Sequence, residues 1–190
     1  WRDFSGEKPA GGRRELAERF VRGLLTDCLG FGSLHPVDPV VVAERTFPIG
    51  FAALGRRVPV VIAEAVGDLD KATLDFGDGS RRRSPMGLCQ EFLNATDDSL
   101  WGIVCNGVTL RLLRDNASLT RPAWIEADVS RIFLEERFAD FSALWLLIHE
   151  TRFGRDGRPA ADCPLETWRD AGREEGTRAR EHLRRGVEEA

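Results

Sequence analysis

The chain has 190 residues, of which 42% are hydrophobic and 31% charged, enough to bury one sizeable core. Its formal net charge of −4 excludes a globally basic nucleic-acid binder, so any contact with DNA has to come from local clusters. The longest apolar runs fall short of the roughly 18 residues that a membrane-spanning helix requires. Four widely spaced cysteines without a CxxC pair favour a reducing, cytoplasmic compartment over a zinc ribbon or a disulfide framework.

The first half of the chain predicts a tail, a helix and several strands. Residues 1–12 mix glycine, proline and charge, which is typical of a tail. Apolar residues then recur at helical spacing from Leu16 to Cys28, and Gly30 supplies a stop. The strands predicted after it are 40–43 continuing into 45–49, a short strand at 51–54, and a central strand at 58–65. Residues 67–83 predict a long, polar and mobile loop.

The second half begins with a well-marked helix. Ser84 is placed as its N-cap and Pro85 at its first helical position, and apolar residues extend it to about Asn94. Asn106 and Gly107, between two apolar runs, predict a β-hairpin with a type I′ turn. The remaining predicted elements are a strand at 124–129, an apolar helix at 140–153 and a charged helix from residue 165 to the end.

These elements predict an α/β fold with a central mixed sheet flanked by helices and a C-terminal helical extension. The predicted boundaries are a tail at 1–12, an α/β domain at 13–135 and a helical connector at 136–190. The chain opens at Trp1 and its single methionine is Met86, which indicates a piece cut from a longer polypeptide.

The order helix, strand, strand, central strand ending in a carboxylate, helix, strand, strand resembles the core of PD-(D/E)xK nucleases. In that family two carboxylates at the ends of adjacent strands hold Mg²⁺, and a lysine helps to activate the attacking water. The resemblance implies that Glu64, at the end of the central strand, is one of those carboxylates. Val66 stands at the lysine position, and residues 46–63 contain no Asp or Glu, so the first metal ligand is missing from its expected place.

Two functions follow from this resemblance, and a third is an unrelated interaction domain. In one, Glu64 combines with a migrated Asp70, Lys71 or Glu44 into a Mg²⁺-dependent endonuclease site, with Glu64 and Asp70 as metal ligands. In the other, the acidic residues after Glu64 are solvated loop residues, and the domain is a degenerate nuclease that engages DNA. The resemblance also implies a role for Gln90, because many such nucleases carry a glutamine that faces the metal site from this helix.

A longer part of the chain carries a second resemblance. Its segments are 81–85, 90–94, 100–107, 110–115, 118–122, 138–141 and 145–149. They are similar to the N-terminal region of large type IIG-like restriction-modification methylases of phage-defence loci, over roughly residues 20 to 190. There a nuclease-like domain and a helical linker precede an adenine-specific methyltransferase that uses S-adenosylmethionine.

This second resemblance implies double-stranded DNA, the methyltransferase domain of the same polypeptide and other defence-system proteins as partners. The motifs of the methyltransferase itself, a glycine-rich cofactor loop and an Asn-Pro-Pro-Tyr-type turn, are absent from these residues. S-adenosylmethionine is therefore expected to bind elsewhere in the polypeptide.

A cluster of three arginines, Arg81, Arg82 and Arg83, precedes the predicted helix at Pro85. Because the free N–H groups of a helix N-terminus also attract anions, the cluster indicates contact with DNA phosphates. The alternative is an ordinary solvated run of charge. Arg111 and Arg114, farther along, are predicted to be surface partners of Asp115 or Glu126.

Overall fold

The computed structural model describes residues 1–6, 12–115 and 123–188. The helices are α1 (Arg2–Gly6), α2 (Arg13–Gly23) with a π-helical continuation (Leu24–Cys28), α3 (Pro85–Leu93), α4 (Val129–Leu134), α5 (Phe138–Ile148) with a following 3-10 turn (Glu150–Phe153), and α6 (Pro164–Glu188). The strands are β1 (His35–Pro36), β2 (Val40–Val42), β3 (Arg45–Phe47), β4 (Phe51–Ala53), β5 (Val58–Ile62), β6 (Thr73–Asp78), β7 (Arg81–Arg83), β8 (Trp101–Cys105), β9 (Thr109–Arg114) and β10 (Trp124–Asp128). None of the described helices has the length and apolar character needed to cross a bilayer.

Six strands form one mixed sheet in the order β1-β4-β5-β8-β9-β10. β4 runs antiparallel to both of its neighbours, β1 and β5, and α3 then carries the chain across to β8, which is parallel to β5. β9 and β10 complete the sheet as an antiparallel meander. The prediction of an α/β fold with a central mixed sheet flanked by helices is confirmed.

β5 is the central strand, and all five of its residues are buried. Val60 and Ile62 pack with α2, α4 and α5 on one face of the sheet. Val61 packs on the opposite face with α3. Alternate side chains of one strand therefore supply both cores, which explains why its sequence is a continuous apolar run rather than an alternating one. Pro59 is tolerated in this strand because the ladder to β8 begins only at Val60.

The predicted β8–β9 hairpin is confirmed, but its turn is not of type I′. The Asn106 amide donates to the carbonyl of Thr109 (3.2 Å), so the two loop residues are Gly107 and Val108. Gly107 has a positive φ of 88° and Val108 does not, whereas a type I′ turn needs a positive φ at both. The Asn106 side chain closes the turn instead, because its Oδ1 accepts from the amides of Val108 (3.0 Å) and Thr109 (2.8 Å).

Two small hairpins replace elements that were predicted differently. Residues 40–49 are not one strand, because β2 and β3 pair through a turn at Ala43 and Glu44, with φ of 47° and 65°. Neither residue favours a positive φ, so the sequence carries no turn signal there. Residues 67–83 are not a mobile loop, because β6 and β7 pair antiparallel and Phe76 is buried against α3.

The predicted domain boundaries at 12 and 135 do not coincide with breaks in packing. Residues 1–6 are not a tail, since Trp1 packs edge-to-face on Phe20 and Phe4 stacks on it, with ring centroids 5.4 and 4.7 Å away; residues 7–11 lie outside the described part. The core continues beyond residue 135 through Leu144 and Leu165. The predicted helix at 140–153 ends at Ile148, because His149 takes an extended ψ of 138° before the 3-10 turn.

Glu166 attaches the first turn of α6 to the end of the sheet where β8 begins and β9 ends. It is only 7% exposed, and its two carboxylate oxygens accept from Arg114 Nε (2.7 Å) and Nη2 (2.8 Å). Trp101 Nε1 (2.9 Å) and Arg169 Nη1 (2.7 Å) donate to the same carboxylate. Arg114 is therefore not the surface partner of Asp115 or Glu126 that the sequence predicted, whereas Arg111 does pair with Glu126.

The Glu166 carboxylate is expected to stabilise the fold in a pH-dependent way. Burial raises the pKa of Glu166, but the hydrogen bonds and charges of Arg114 and Arg169 outweigh burial and leave this pKa below its usual value. We expect Glu166→Gln to lower the free energy of unfolding at pH 7 by about 2 kcal/mol, because it leaves the half-buried guanidinium of Arg114 without its counter-charge. A group with a lowered pKa loses its contribution as it protonates, so the difference from wild type shrinks below pH ~4.

Urea unfolding of both proteins between pH 7 and pH 3 measures this difference. Glu181→Gln, an exposed carboxylate on the same helix, is the matched control and should change the free energy by less than about 0.5 kcal/mol. Equal effects of the two substitutions, or a difference independent of pH, would contradict a stabilising role for the Glu166 charge.

Candidate functional site

Glu64 lies at the end of the sheet where the parallel strands β5 and β8 finish. The Ala63 amide donates to the carbonyl of Cys105 (2.9 Å), so β5 ends beside the end of β8, and Glu64 follows with an exposed side chain. In α/β sheets, binding crevices lie outside the carboxyl ends of the strands. Glu64 is therefore the carboxylate best placed by the fold for a functional site.

The turn after Glu64 is tied to the β8–β9 turn. The Gly67 amide donates to the carbonyl of Glu64 (2.9 Å), which closes a turn over 64–67. Asn106 Nδ2 donates to the carbonyl of Gly67 (2.6 Å), and the Val66 amide donates to the carbonyl of Asn106 (3.3 Å). The backbone around Glu64 is thus held at two points by one buried asparagine.

Val66 occupies a strained position in this turn. Its φ is +60°, a region that β-branched residues avoid, and its side chain is 67% exposed. Gly67 has no room for a side chain, because an added Cβ would lie 2.7 Å from Glu64 Cγ. The chain therefore uses an exposed, strained valine where the PD-(D/E)xK pattern carries its lysine.

Asp70 is engaged in an ion pair. Arg111 Nη1 donates to its Oδ1 (2.7 Å), and Arg111 Nε donates to Glu126 (2.7 Å). The hydrogen bond that Arg111 donates to Asp70 outweighs the opposing effect of burial and is the main reason why the pKa of Arg111 is raised. Two carboxylates thus share one guanidinium, which also lies over the Trp124 ring (4.9 Å). Lys71 is exposed and makes no ion pair within the described residues.

Gln90 lies at the other end of the sheet from Glu64. Its Nε2 donates to the Asn94 side chain (2.8 Å) and to the carbonyl of Arg114 (3.2 Å). Arg114 pairs with Trp101 at the start of β8, whereas Glu64 adjoins Cys105 at its end. Four strand steps, roughly 13 Å, separate the two ends. Gln90 therefore does not face Glu64 as the resemblance implied.

The residues around Glu64 do not fit a Mg²⁺ site. Glu44 lies in the β2–β3 turn, outside the six-stranded sheet, and Asp70 is neutralised by Arg111. Within residues 1–6, 12–115 and 123–188, no three His, Cys, Asp or Glu side chains are grouped so that they could hold a metal ion. The described residues thus supply one exposed carboxylate without the further oxygen ligands that Mg²⁺ prefers.

The arginine cluster at 81–83 divides into a buried and an exposed part. Arg83 has a side chain only 2% exposed; its Nη1 donates to the carbonyl of Thr46 (2.8 Å), and its guanidinium lies over the Phe47 ring (5.0 Å). Arg83 is therefore a core residue and not a phosphate contact. Arg82 is exposed and makes no ion pair within the described chain.

Glu91 organises the rest of this cluster. Arg81 Nη2 donates to Glu91 (2.8 Å), Arg83 Nε lies 3.3 Å from the same carboxylate, and Arg45 forms a close ion pair with it. The sequence predictions missed Glu91 and Arg45. One signal was present, since Glu91 is the sole acidic residue of the apolar helix α3. Arg45, on the other hairpin, carries no such signal.

Cys89, Cys105 and His149 are packing residues. Burial raises the pKa of the Cys89 and Cys105 thiols to about 12, which makes them unreactive. The His149 ring packs against Trp145, with centroids 4.6 Å apart, and hydrogen-bonds to Thr151 (3.0 Å). These contacts fit a histidine that packs rather than one that acts in catalysis.

Replacement of Val66 by glycine should relieve the strain at this turn. We expect Val66→Gly to raise the free energy of unfolding by up to about 1 kcal/mol, because glycine adopts a positive φ without steric penalty. Val41→Gly is a matched control, since Val41 is also 67% exposed but lies in β2, where glycine should lower stability by about 0.5–1 kcal/mol. Thermal unfolding of both variants checks that the two changes in stability have opposite signs. A loss of stability in Val66→Gly would show that the valine is not strained.

Substitutions of the neighbouring arginines Arg82 and Arg83 in β7 should differ sharply in their effect on the free energy of unfolding. Arg83→Gln is expected to lower the free energy of unfolding by about 2 kcal/mol, because it removes a buried side chain that packs over Phe47, donates to the Thr46 carbonyl and pairs with Asp78. Arg82→Gln should change it by less than about 0.5 kcal/mol. Urea unfolding of the two variants measures the contrast, and similar values would contradict the separation of buried and exposed roles.

No protein-family model matches this chain, and no match was found among curated proteins or solved structures. The geometry of the described residues and the resemblances in the sequence are the basis of the function proposed below.

Proposed function

We propose that this chain is the N-terminal, DNA-engaging domain of a restriction-modification or phage-defence adenine-specific DNA methyltransferase, and that it is a degenerate PD-(D/E)xK-type nuclease. The observation that carries the proposal is the position of Glu64, directly after the central strand β5. On one side of β5 lies the antiparallel β4, and on the other lies β8, reached through α3 and parallel to it. This arrangement of strands, helix and carboxylate is the one the resemblance implies.

Three features favour a degenerate site over an active one. Val66 stands at the position of the lysine, Asp70 is paired with Arg111, and Gln90 lies at the opposite end of the sheet. Val66 has no group that could replace the lysine, Asp70 would have to exchange its partner, and Gln90 would have to move before it could assist Glu64. The chemistry is therefore assigned to the methyltransferase part of the polypeptide, with S-adenosylmethionine as its cofactor and the cytoplasm as its compartment.

The β6–β7 hairpin supports the assignment of DNA as partner. Arg82 is exposed and without an ion pair in the described residues, and the Arg81 side chain is 57% exposed. The hairpin carries three arginines against Asp75 and Asp78, so it retains an excess of one positive charge although the whole chain is acidic. Exposed guanidiniums bind phosphate oxygens in a bidentate way.

Plasmid nicking by the 190-residue chain in Mg²⁺ and in Mn²⁺ separates the degenerate from the active domain. We expect no nicking in either metal, with Glu64→Gln indistinguishable from wild type. Nicking by the wild type that disappears in Glu64→Gln would instead establish a Mg²⁺-dependent endonuclease, with Glu64 as a metal ligand. Nicking that persists in Glu64→Gln indicates a contaminating nuclease, and a further purified preparation then replaces the sample.

DNA binding is measured by fluorescence anisotropy with a duplex of about 30 base pairs at several salt concentrations. We expect binding that weakens steeply with salt because counterions are released. Arg82→Gln should weaken binding to duplexes of every sequence. It should also make the slope of log K against log salt less negative by about 1. Arg56→Gln, an exposed arginine of the β4–β5 turn, is the control and should leave the slope unchanged. An absence of binding by the wild type at low salt would overturn the proposal.

A further inference from the structure

Helix α6 extends away from the domain that anchors it. Its first turn is buried through Leu165 and Glu166, whereas residues 170–185 are all exposed. With a rise of about 1.5 Å per residue, the exposed part is roughly 24 Å long. The buried pairing of Glu166 with Arg114 fixes the direction in which this part leaves the sheet.

Charge is segregated around α6. The helix has six arginines and six acidic residues, so its net charge is zero. At about 100° per residue, Arg169, Arg173, Arg180 and Arg184 fall within a sector of about 60°, which we call the arginine row. Five of the six acidic residues fall outside this sector by the same rotation; they are Asp170, Glu174, Glu175, Glu181 and Glu188.

The ion pairs within the described part of α6 do not involve Arg173 and Arg180, the two arginines in the middle of the row. Glu166 and Asp170 pair with Arg169, at 2.7 and 3.5 Å. Glu174 and Glu175 pair with Arg178, which lies on a different face. Arg173 makes no ion pair within the described residues, and Arg180 donates only to the carbonyl of Gly176 (3.2 Å). Two exposed guanidiniums of the row are therefore available to an external anion.

We propose that the arginine row of α6 binds the phosphate backbone of double-stranded DNA, as a contact separate from the β6–β7 hairpin. The inference rests on the proposed function, because it takes DNA as the partner. Arg173 and Arg180 are seven residues apart, or roughly 10 Å along the helix axis. A DNA duplex carries one negative charge for about every 1.7 Å of its axis, so two guanidiniums at this separation can each reach a phosphate.

The geometry favours nucleic acid over an acidic protein surface for this row. A straight row on a helix that no other described element covers suits the long, regular array of charge along DNA. Arginine also presents a planar fork of donors that matches phosphate oxygens. Because Glu166 holds the base of α6 against the sheet, the row is pre-positioned, and DNA binding loses little of its free energy to ordering the helix.

The test compares two double substitutions that remove the same charge from different faces of α6. Arg173→Gln/Arg180→Gln removes the two positive charges in the middle of the arginine row. Arg178→Gln/Arg185→Gln removes two arginines with the same spacing from a face about 140° away. Fluorescence anisotropy with the same duplex gives Kd as a function of salt for both variants and the wild type, and circular dichroism checks that helix content is retained.

We expect the first variant to raise Kd at least tenfold at low salt and to make the salt slope less negative by about 2, one phosphate contact for each arginine. The second should change Kd less than twofold and keep the wild-type slope. If both variants weakened DNA binding equally, net charge alone would matter, and the proposal that the arginine row contacts DNA would be overturned. Unchanged binding of the first variant would overturn it too but leave the proposed function intact, whereas a wild type that does not bind DNA overturns both.

Discussion

The burial of β5 on both faces is the constraint from which the rest of the fold follows. A strand with no solvated side needs a layer of helices above and below the sheet, and α3 supplies one layer while α2, α4 and α5 supply the other. Because the chain must cross the sheet through α3 to cover the second face, β8 joins β5 in parallel. The same crossover brings the ends of β5 and β8 together, and so positions Glu64.

Ion pairing inside the domain determines which charged residues remain for binding. The chain is rich in arginine, yet many of its guanidiniums are held by carboxylates of the same molecule, as Arg83 is by Glu91 and Arg114 by Glu166. Arg82 and Arg173 are exposed and lack such a partner within the described residues. The capacity of a cluster to bind phosphate therefore depends on how its charges are paired and not on how many arginines it contains.

The sequence predicted elements whose signal is local, and it was wrong where the outcome depends on tertiary contacts. The start of α3 at Ser84 and Pro85, the buried strand β5 and the hairpin at Asn106 each have a cause within a few residues. The β2–β3 hairpin does not, because its turn residues Ala43 and Glu44 are not typical of a turn with positive φ and its position depends on Phe47 packing against α3. The β6–β7 hairpin does carry a local signal in its turn residues Gly79 and Ser80, but the strands beside it are polar and depend on Phe76 packing against α3. For the candidate site, the end of β5 and Glu64 were predicted, but the pairing of Asp70 with Arg111 joins residues 41 positions apart.

Glu91 couples the substitutions that the two small hairpins can tolerate. Arg45 belongs to one hairpin, Arg81 and Arg83 belong to the other, and all three meet the same carboxylate. The loss of any one arginine leaves the carboxylate two others, whereas the loss of the carboxylate leaves three like charges facing each other. Mutational tolerance is therefore asymmetric: among related sequences the arginines are expected to vary one at a time, and the acid to change only together with them.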